Sequence, residues 1–296
     1  MVKFTPCADI FFNDQPLLKR LALLAEIGFD RYEMWSWWNK DGDAITRACR
    51  EYRIELAACC THFVSLTDPA ERQKYCDGLS ETIEFCRKHG CRTIISQVGN
   101  ELPGVPRKMQ HDSLVVGLQQ AARLLKNTGM QLVIEPLNLL VDHAGYYLSR
   151  SDEAAEVLRK VDSENVKMLF DIYHQQITEG NVIANLRQYA PLIGHYHVAD
   201  VPGRHEPGTG ELNYANIFAA IASTGYDGNI GLEFFPANPE HQATLCLLRK
   251  KIAGVDGDPH KVRDGRERSD SALLLPCSGL LACRMASQGS CRHQQP

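Results

Sequence analysis

Eight times in succession, a short β-prone apolar run is followed by a segment with helical spacing. The strand-like runs fall at about 2–8, 31–34, 54–60, 92–97, 131–135, 166–171, 193–198 and 229–233. The helical segments fall at about 16–27, 43–52, 68–89, 110–128, 151–161, 182–189, 214–224 and 239–252. Gly28, Gly90, Gly129 and Gly225 stand where helices need a left-handed stop. Asp14 is a candidate N-cap for the first helix, with Pro16 in its first turn. Eight βα units in roughly 250 residues match a (β/α)8 barrel. The expected fold class is therefore α/β, a single TIM barrel over residues 1–252. A doubly wound sheet has no need of eight regular units. Neither a G-x-G-x-x-G turn after the first strand nor a Walker A run is present. From Gly254 onward the periodicity fails, and residues 253–296 read as a poorly ordered C-terminal extension.

Composition narrows the partners. The net charge of −4 argues against nucleic acid and anionic membrane. No apolar run reaches the roughly 20 residues of a membrane span. The first residues, Met1-Val2-Lys3-Phe4-Thr5, read as a strand and not as a secretory leader. There are 11 cysteines, an odd number, with no C-x-x-C pair. Most of those in the barrel segment sit in apolar contexts, where thiols act as small hydrophobes. A reducing, cytoplasmic compartment follows.

Four of the strand-like runs end in a ligand-type residue: Glu135, Asp171, His197 and Glu233. One carboxylate closing a strand is commonly a helix cap or an ion-pair partner. Four at matched positions are different, because all strands of a parallel barrel end at one rim. Charges gathered there are costly unless they are paired or hold a cation. An O/O/N/O set suits Mg²⁺, Mn²⁺ or Co²⁺. His195 shares a strand face with His197, so either histidine fits the ligand position, and His197 lies nearer the rim. His62 and Gln97 end the third and fourth strands, and His174 follows Asp171 by three residues. Trp35, Trp37 and Trp38 follow the second strand and read equally as core or as pocket wall.

Three runs carry a resemblance. They are Val133-Ile134-Glu135-Pro136-Leu137-Asn138, Phe170-Asp171-Ile172-Tyr173-His174, and His205-Glu206-Pro207-Gly208-Thr209-Gly210-Glu211-Leu212-Asn213-Tyr214. Over about residues 1–250 the chain resembles the hydroxypyruvate isomerases, which belong to the xylose-isomerase-like barrels together with the ketose 3-epimerases and apurinic endonucleases. The resemblance implies reversible conversion of hydroxypyruvate to tartronate semialdehyde through an enediolate. It assigns the acid/base pair to Glu135 and Glu233. It assigns a divalent cation to Glu135, Asp171, His197 and Glu233. His174 would hydrogen-bond the substrate, and Arg204 would face its carboxylate. His62 either reaches the pocket or bonds nearby backbone, and Glu206 either orients its neighbours or caps the loop. The partner implied is a small hydroxy-oxo acid or a ketose, in a protein whose aromatic loops are compatible with a homo-oligomer.

The chain departs from this pattern at one position. Bacterial members carry glutamine where His197 stands, and a histidine there resembles the ketose 3-epimerases, the alternative reading. The endonuclease reading is weaker. Gln97 stands where that group has histidine, and Gly203 where it has aspartate.

Overall fold

All eight expected strands form, and they pair in parallel. The computed structural model describes residues 3–255. The strands are β1 (Lys3–Pro6), β2 (Arg31–Met34), β3 (Glu55–Cys60), β4 (Thr93–Ser96), β5 (Gln131–Ile134), β6 (Val166–Asp171), β7 (Ile193–Val198) and β8 (Asn229–Leu232). Each pairs with its neighbour in sequence from β2 to β8, and β8 then pairs with β1. Backbone contacts between Cys7 and Glu33 and between Ala8 N–H and Glu33 C=O (2.8 Å) join β1 to β2. The sheet thus curls into a barrel, as the eightfold pattern predicts.

The helices alternate with these strands: α1 (Leu17–Ile27), α2 (Gly42–Tyr52), α3 (Arg72–His89), α4 (Arg107–Leu125), α5 (Ser151–Val161), α6 (Ile172–Thr178), α7 (Val182–Gln188), α8 (Tyr214–Ser223) and α9 (His241–Val255). Gly28 and Gly90 close α1 and α3 in the left-handed region, at φ 98° and 71°. Asp41 caps α2, accepting from Ala44 N–H at 3.0 Å. Asp14 does not cap α1. Pro16 occupies the N-cap without a side-chain bond, and Asp14 instead accepts from Gln15. The periodicity of the sequence also implies no separate α6. That helix starts directly off β6, with the Asp171 side chain accepting from His174 N–H at 3.1 Å.

Strand alternation divides the core in two. Ala58, Cys60, Ile95, Val133 and Leu169 fill the barrel interior, and a larger set packs between sheet and helices. Adjacent cysteines show the period: Cys60 belongs to the interior, whereas Cys59 meets Cys86 of α3 with sulfurs 3.6 Å apart. All eight cysteines among the described residues are free. Among those residues no helix is long and apolar enough to cross a membrane. The expected C-terminal extension, apart from the end of α9, lies outside the described residues.

Candidate active site

Glu135 directly follows β5, Asp171 ends β6, His197 lies in β7 and Glu233 directly follows β8. Register sets them at one height, since Asp171 pairs with His197 and His197 with Gly231. One donor atom from each of the four lies within 4.8 Å of all the others. His197 Nδ1 is 3.4 Å from Glu233 Oε2, 3.7 Å from Glu135 Oε1 and 4.0 Å from Asp171 Oδ2. All four side chains are buried. His197 Nδ1 and Glu135 Oε1 nevertheless lack hydrogen-bond partners. Buried polar atoms without partners mark a site for something else. Three carboxylates and an imidazole nitrogen are a donor set for a hard divalent cation.

The choice between the two histidines follows from a residue that sequence reasoning missed. Glu33 of β2 is buried at the barrel seam, and its Oε2 lies 3.0 Å from His195 Nε2 and 3.5 Å from His197 Nε2. His195 is thereby engaged away from the four-residue cluster. His197 turns one nitrogen toward Glu33 and the other toward the three carboxylates. A carboxylate facing the far nitrogen of a ligand histidine fixes the orientation of the ring. The sequence signal was a lone acid inside the apolar strand Arg31-Tyr32-Glu33-Met34.

The two glutamates experience opposite environments. Burial pushes the Glu135 carboxyl up to about 7; the His197 charge opposes this, while Glu233 and Asp171 add to it. Burial would raise Glu233 too, but the positive charges of His197 and Arg204 hold it well below the usual carboxylate range. Trp35 Nε1–H donates to Glu233 Oε1 at 2.7 Å, and Arg204 Nη2 donates to Oε2 at 2.5 Å. Burial lowers His197, yet Glu233 and Glu33 together drive it well above its ordinary value. Burial lowers His174 to about 4, so its ring is neutral near pH 7.

The cluster opens on a cavity of about 280 Å³ walled by Trp35, Phe63, Leu137 and Phe235, with His143, His174 and Arg204 among its polar groups. Arg204 lies between the Tyr173 and Phe235 rings, at 5.2 and 5.9 Å. Its loop is built around the buried Asp200. That carboxylate accepts from the backbone N–H groups of Val201 (2.9 Å), Gly208 (2.8 Å) and Leu212 (3.1 Å). A side chain at Gly210 would meet Val201 O at 2.1 Å, so glycine is required there. The Gly208-Thr209-Gly210 run therefore shapes the loop that presents Arg204.

Two expected substrate contacts fall elsewhere. His62 stacks on Trp38 at 4.4 Å and faces Glu81 at 3.3 Å, outside the cavity wall, because the chain after β3 turns it toward α3. Glu206 accepts from Ala237 N–H at 2.9 Å and ties two loops together. The tryptophans divide: Trp35 lines the cavity, while Trp37 stacks on Phe85 of α3 at 4.8 Å.

Comparison with known proteins agrees with this barrel. The family described as xylose isomerase-like TIM barrel matches residues 21–251. The hydroxypyruvate isomerase of Escherichia coli K12 is 30% identical over 247 residues, covering 80% of this chain and 94% of its own length. The 2-oxo-tetronate isomerase of Cupriavidus necator is 43% identical over 246 residues, with the same coverages, 80% and 94%. The crystal structure of an AP endonuclease, family 2, from Brucella melitensis superposes with a TM-score of 0.80 at 27% identity, covering 84% of this chain and 99% of that one. The chain therefore belongs to the xylose isomerase-like TIM barrels and, within them, to the hydroxypyruvate isomerase family of isomerases.

Proposed function

We propose that the protein moves a carbonyl between C2 and C3 of a short 2-oxo-hydroxy acid, through an enediolate, with a bound divalent cation. Hydroxypyruvate and its one-carbon-longer homologue 2-oxo-tetronate are the substrates of choice, as the names of the relatives suggest. The observation that carries this reading is a pair of buried glutamates in one four-residue cluster, opening on a small cavity that is also lined by Arg204. Glu233 removes the C3 proton and Glu135 returns one to C2, while the proton of the C3 hydroxyl passes to the C2 oxygen, so that the carbonyl moves to C3; the roles exchange in the reverse direction. Glu135, Asp171, His197 and Glu233 would hold the cation, which would supply positive charge to stabilise the enediolate. Trp35 and Arg204 fix the Glu233 carboxylate by its two oxygens. Trp35, Phe63 and Phe235 give the cavity apolar walls.

Arg204 supports an acid over a ketose. Its guanidinium reaches the cavity with its Nε unpartnered, and a planar fork suits a substrate carboxylate. Arg204→Met is expected to raise KM for hydroxypyruvate or 2-oxo-tetronate by about 10–100-fold, the worth of one charged hydrogen-bonding group. Because Arg204 also holds Glu233 ionised, kcat should fall as well. A variant that loses turnover with unchanged KM would remove Arg204 from the substrate carboxylate.

The reaction class is read by isotope exchange. The protein is incubated in deuterated water with hydroxypyruvate, with 2-oxo-tetronate, and with D-fructose and D-tagatose. Deuterium is expected at the reacting carbons of the acids. Incorporation only into the ketohexoses would favour the epimerase reading, and none at all would remove the enediolate. Chelator-treated protein is expected to lose exchange and to regain it with Mn²⁺, Mg²⁺ or Co²⁺. Full activity after chelation would overturn the requirement for the cation.

A further inference from the structure

His174 offers the cavity one ring nitrogen, and its neighbour Asn138 decides whether that nitrogen carries the proton. Asn138 lies in the β5–α5 loop, three residues after Glu135, and is fully buried. Its Oδ1 accepts two backbone N–H groups, from Val141 at 2.9 Å and Asp142 at 3.2 Å. An amide nitrogen cannot accept, so turning the amide over would orphan both donors. Its Nδ2 hydrogens are therefore committed to Asp142 Oδ2 and to His174 Nδ1, each at 2.7 Å. The Asn138 backbone N–H also points at His174 Nδ1, at 3.4 Å. A ring nitrogen facing two donors presents its lone pair, so the single proton of a neutral imidazole sits on Nε2. That Nε2 is buried and unpartnered, on a side chain that lines the cavity.

We propose that Asn138 is a positioning residue that holds His174 as the Nε2–H tautomer, so that His174 donates to the substrate oxygen that becomes negative in the enediolate. The catalytic half of this inference rests on the enediolate reading above; the tautomer does not. Two donors on Nδ1 leave no place for a second ring proton, and a neutral donor can stabilise an oxyanion without transferring its proton to it.

The decisive variant is N138D/D142N. The carboxylate introduced by Asn138→Asp keeps an oxygen to accept the backbone N–H groups of positions 141 and 142. The amide introduced by Asp142→Asn restores a donor between positions 138 and 142. Relative to Asp142→Asn, the group facing His174 Nδ1 changes from donor to acceptor. Asp142→Asn alone controls for the charge lost opposite Arg204, 3.9 Å away. Long-range ¹H–¹⁵N spectra of the substrate-free wild type are expected to show His174 protonated on Nε2, and those of the double variant on Nδ1. Turnover should fall about 100-fold relative to Asp142→Asn, the usual cost of one lost oxyanion donor, with KM and melting temperature close to that control. A wild-type proton on Nδ1 would overturn the role of Asn138, as would a double variant with the tautomer switched and turnover intact. A wild type without isotope exchange would overturn the enediolate instead, while the spectrum still reads Asn138.

Discussion

Glu233→Gln and Glu135→Gln are each expected to stop deuterium entry from solvent and to lower turnover by about 10²–10⁴-fold, the range for loss of a positioned acid or base. An amide keeps the shape of each side chain but neither removes nor returns a proton near neutral pH. The two variants should differ in stability. The Glu135 carboxyl in the metal-free fold titrates near 7 against 4.5 when unperturbed. Between these values the folded chain holds a proton that the unfolded chain has released. Stability therefore falls as pH rises through that window, and the full cost is present above it. Glu135→Gln should raise the melting temperature of metal-free protein more at pH 8 than at pH 5. Glu233 has the opposite sign. Its depressed acidity contributes stability above its unfolded value, lost as pH falls, so Glu233→Gln should destabilise near pH 7. Equal shifts at both pH values for Glu135→Gln would contradict the burial-driven rise. Retained exchange in either variant would remove that residue from the acid/base pair.

Gly231→Ala should damage fold and site together. A Cβ there would sit 2.0 Å from Glu33 Oε1 and 2.4 Å from His197 Cδ2. Both side chains are buried inside the barrel. Overpacking of this kind costs about 1–3 kcal/mol, and relief displaces the Glu33 carboxylate that faces His197 Nε2, the His197 ring itself, or both. The expected result is a lower melting temperature, with Mn²⁺ affinity reduced about 10–100-fold, as when the support of a metal ligand is lost. Gly194→Ala is the matched comparison. Its Cβ would meet Gln131 Oε1 at 2.5 Å and Lys167 Cβ at 2.8 Å, near the opposite end of β7. It should lower stability while Mn²⁺ affinity and turnover per folded molecule stay at wild-type values. Calorimetric titration with Mn²⁺ reads both. Wild-type affinity in Gly231→Ala would show that the His197 ring does not need the space that glycine leaves.

Much of the barrel was legible in the sequence because its signals are local. Apolar alternation marks strands, and the glycines after α1 and α3 mark helix ends. Glu135, Asp171, His197 and Glu233 were legible for the same reason, as polar groups closing apolar runs. Glu33 was not, although it too is an acid in an apolar strand. It lies within β2, where the residue pattern gives no hint that His195 and His197 of β7 face it inside the barrel. His62 failed in the other direction. It ends a strand-like run as those four do, but the turn after β3 carries it to Trp38 and Glu81.

The sequence by itself determined eight parallel strands and the polar residues at their ends, because pleat and helix period act over a few neighbouring residues. Tertiary structure alone decided which histidine faces the carboxylates, which glutamate is held by Trp35 and Arg204, and which nitrogen of His174 meets Asn138. Those outcomes depend on the desolvation and close approach of groups far apart in the chain. Glu33 and His197 are 164 positions apart and meet only when β1 and β2 close the barrel.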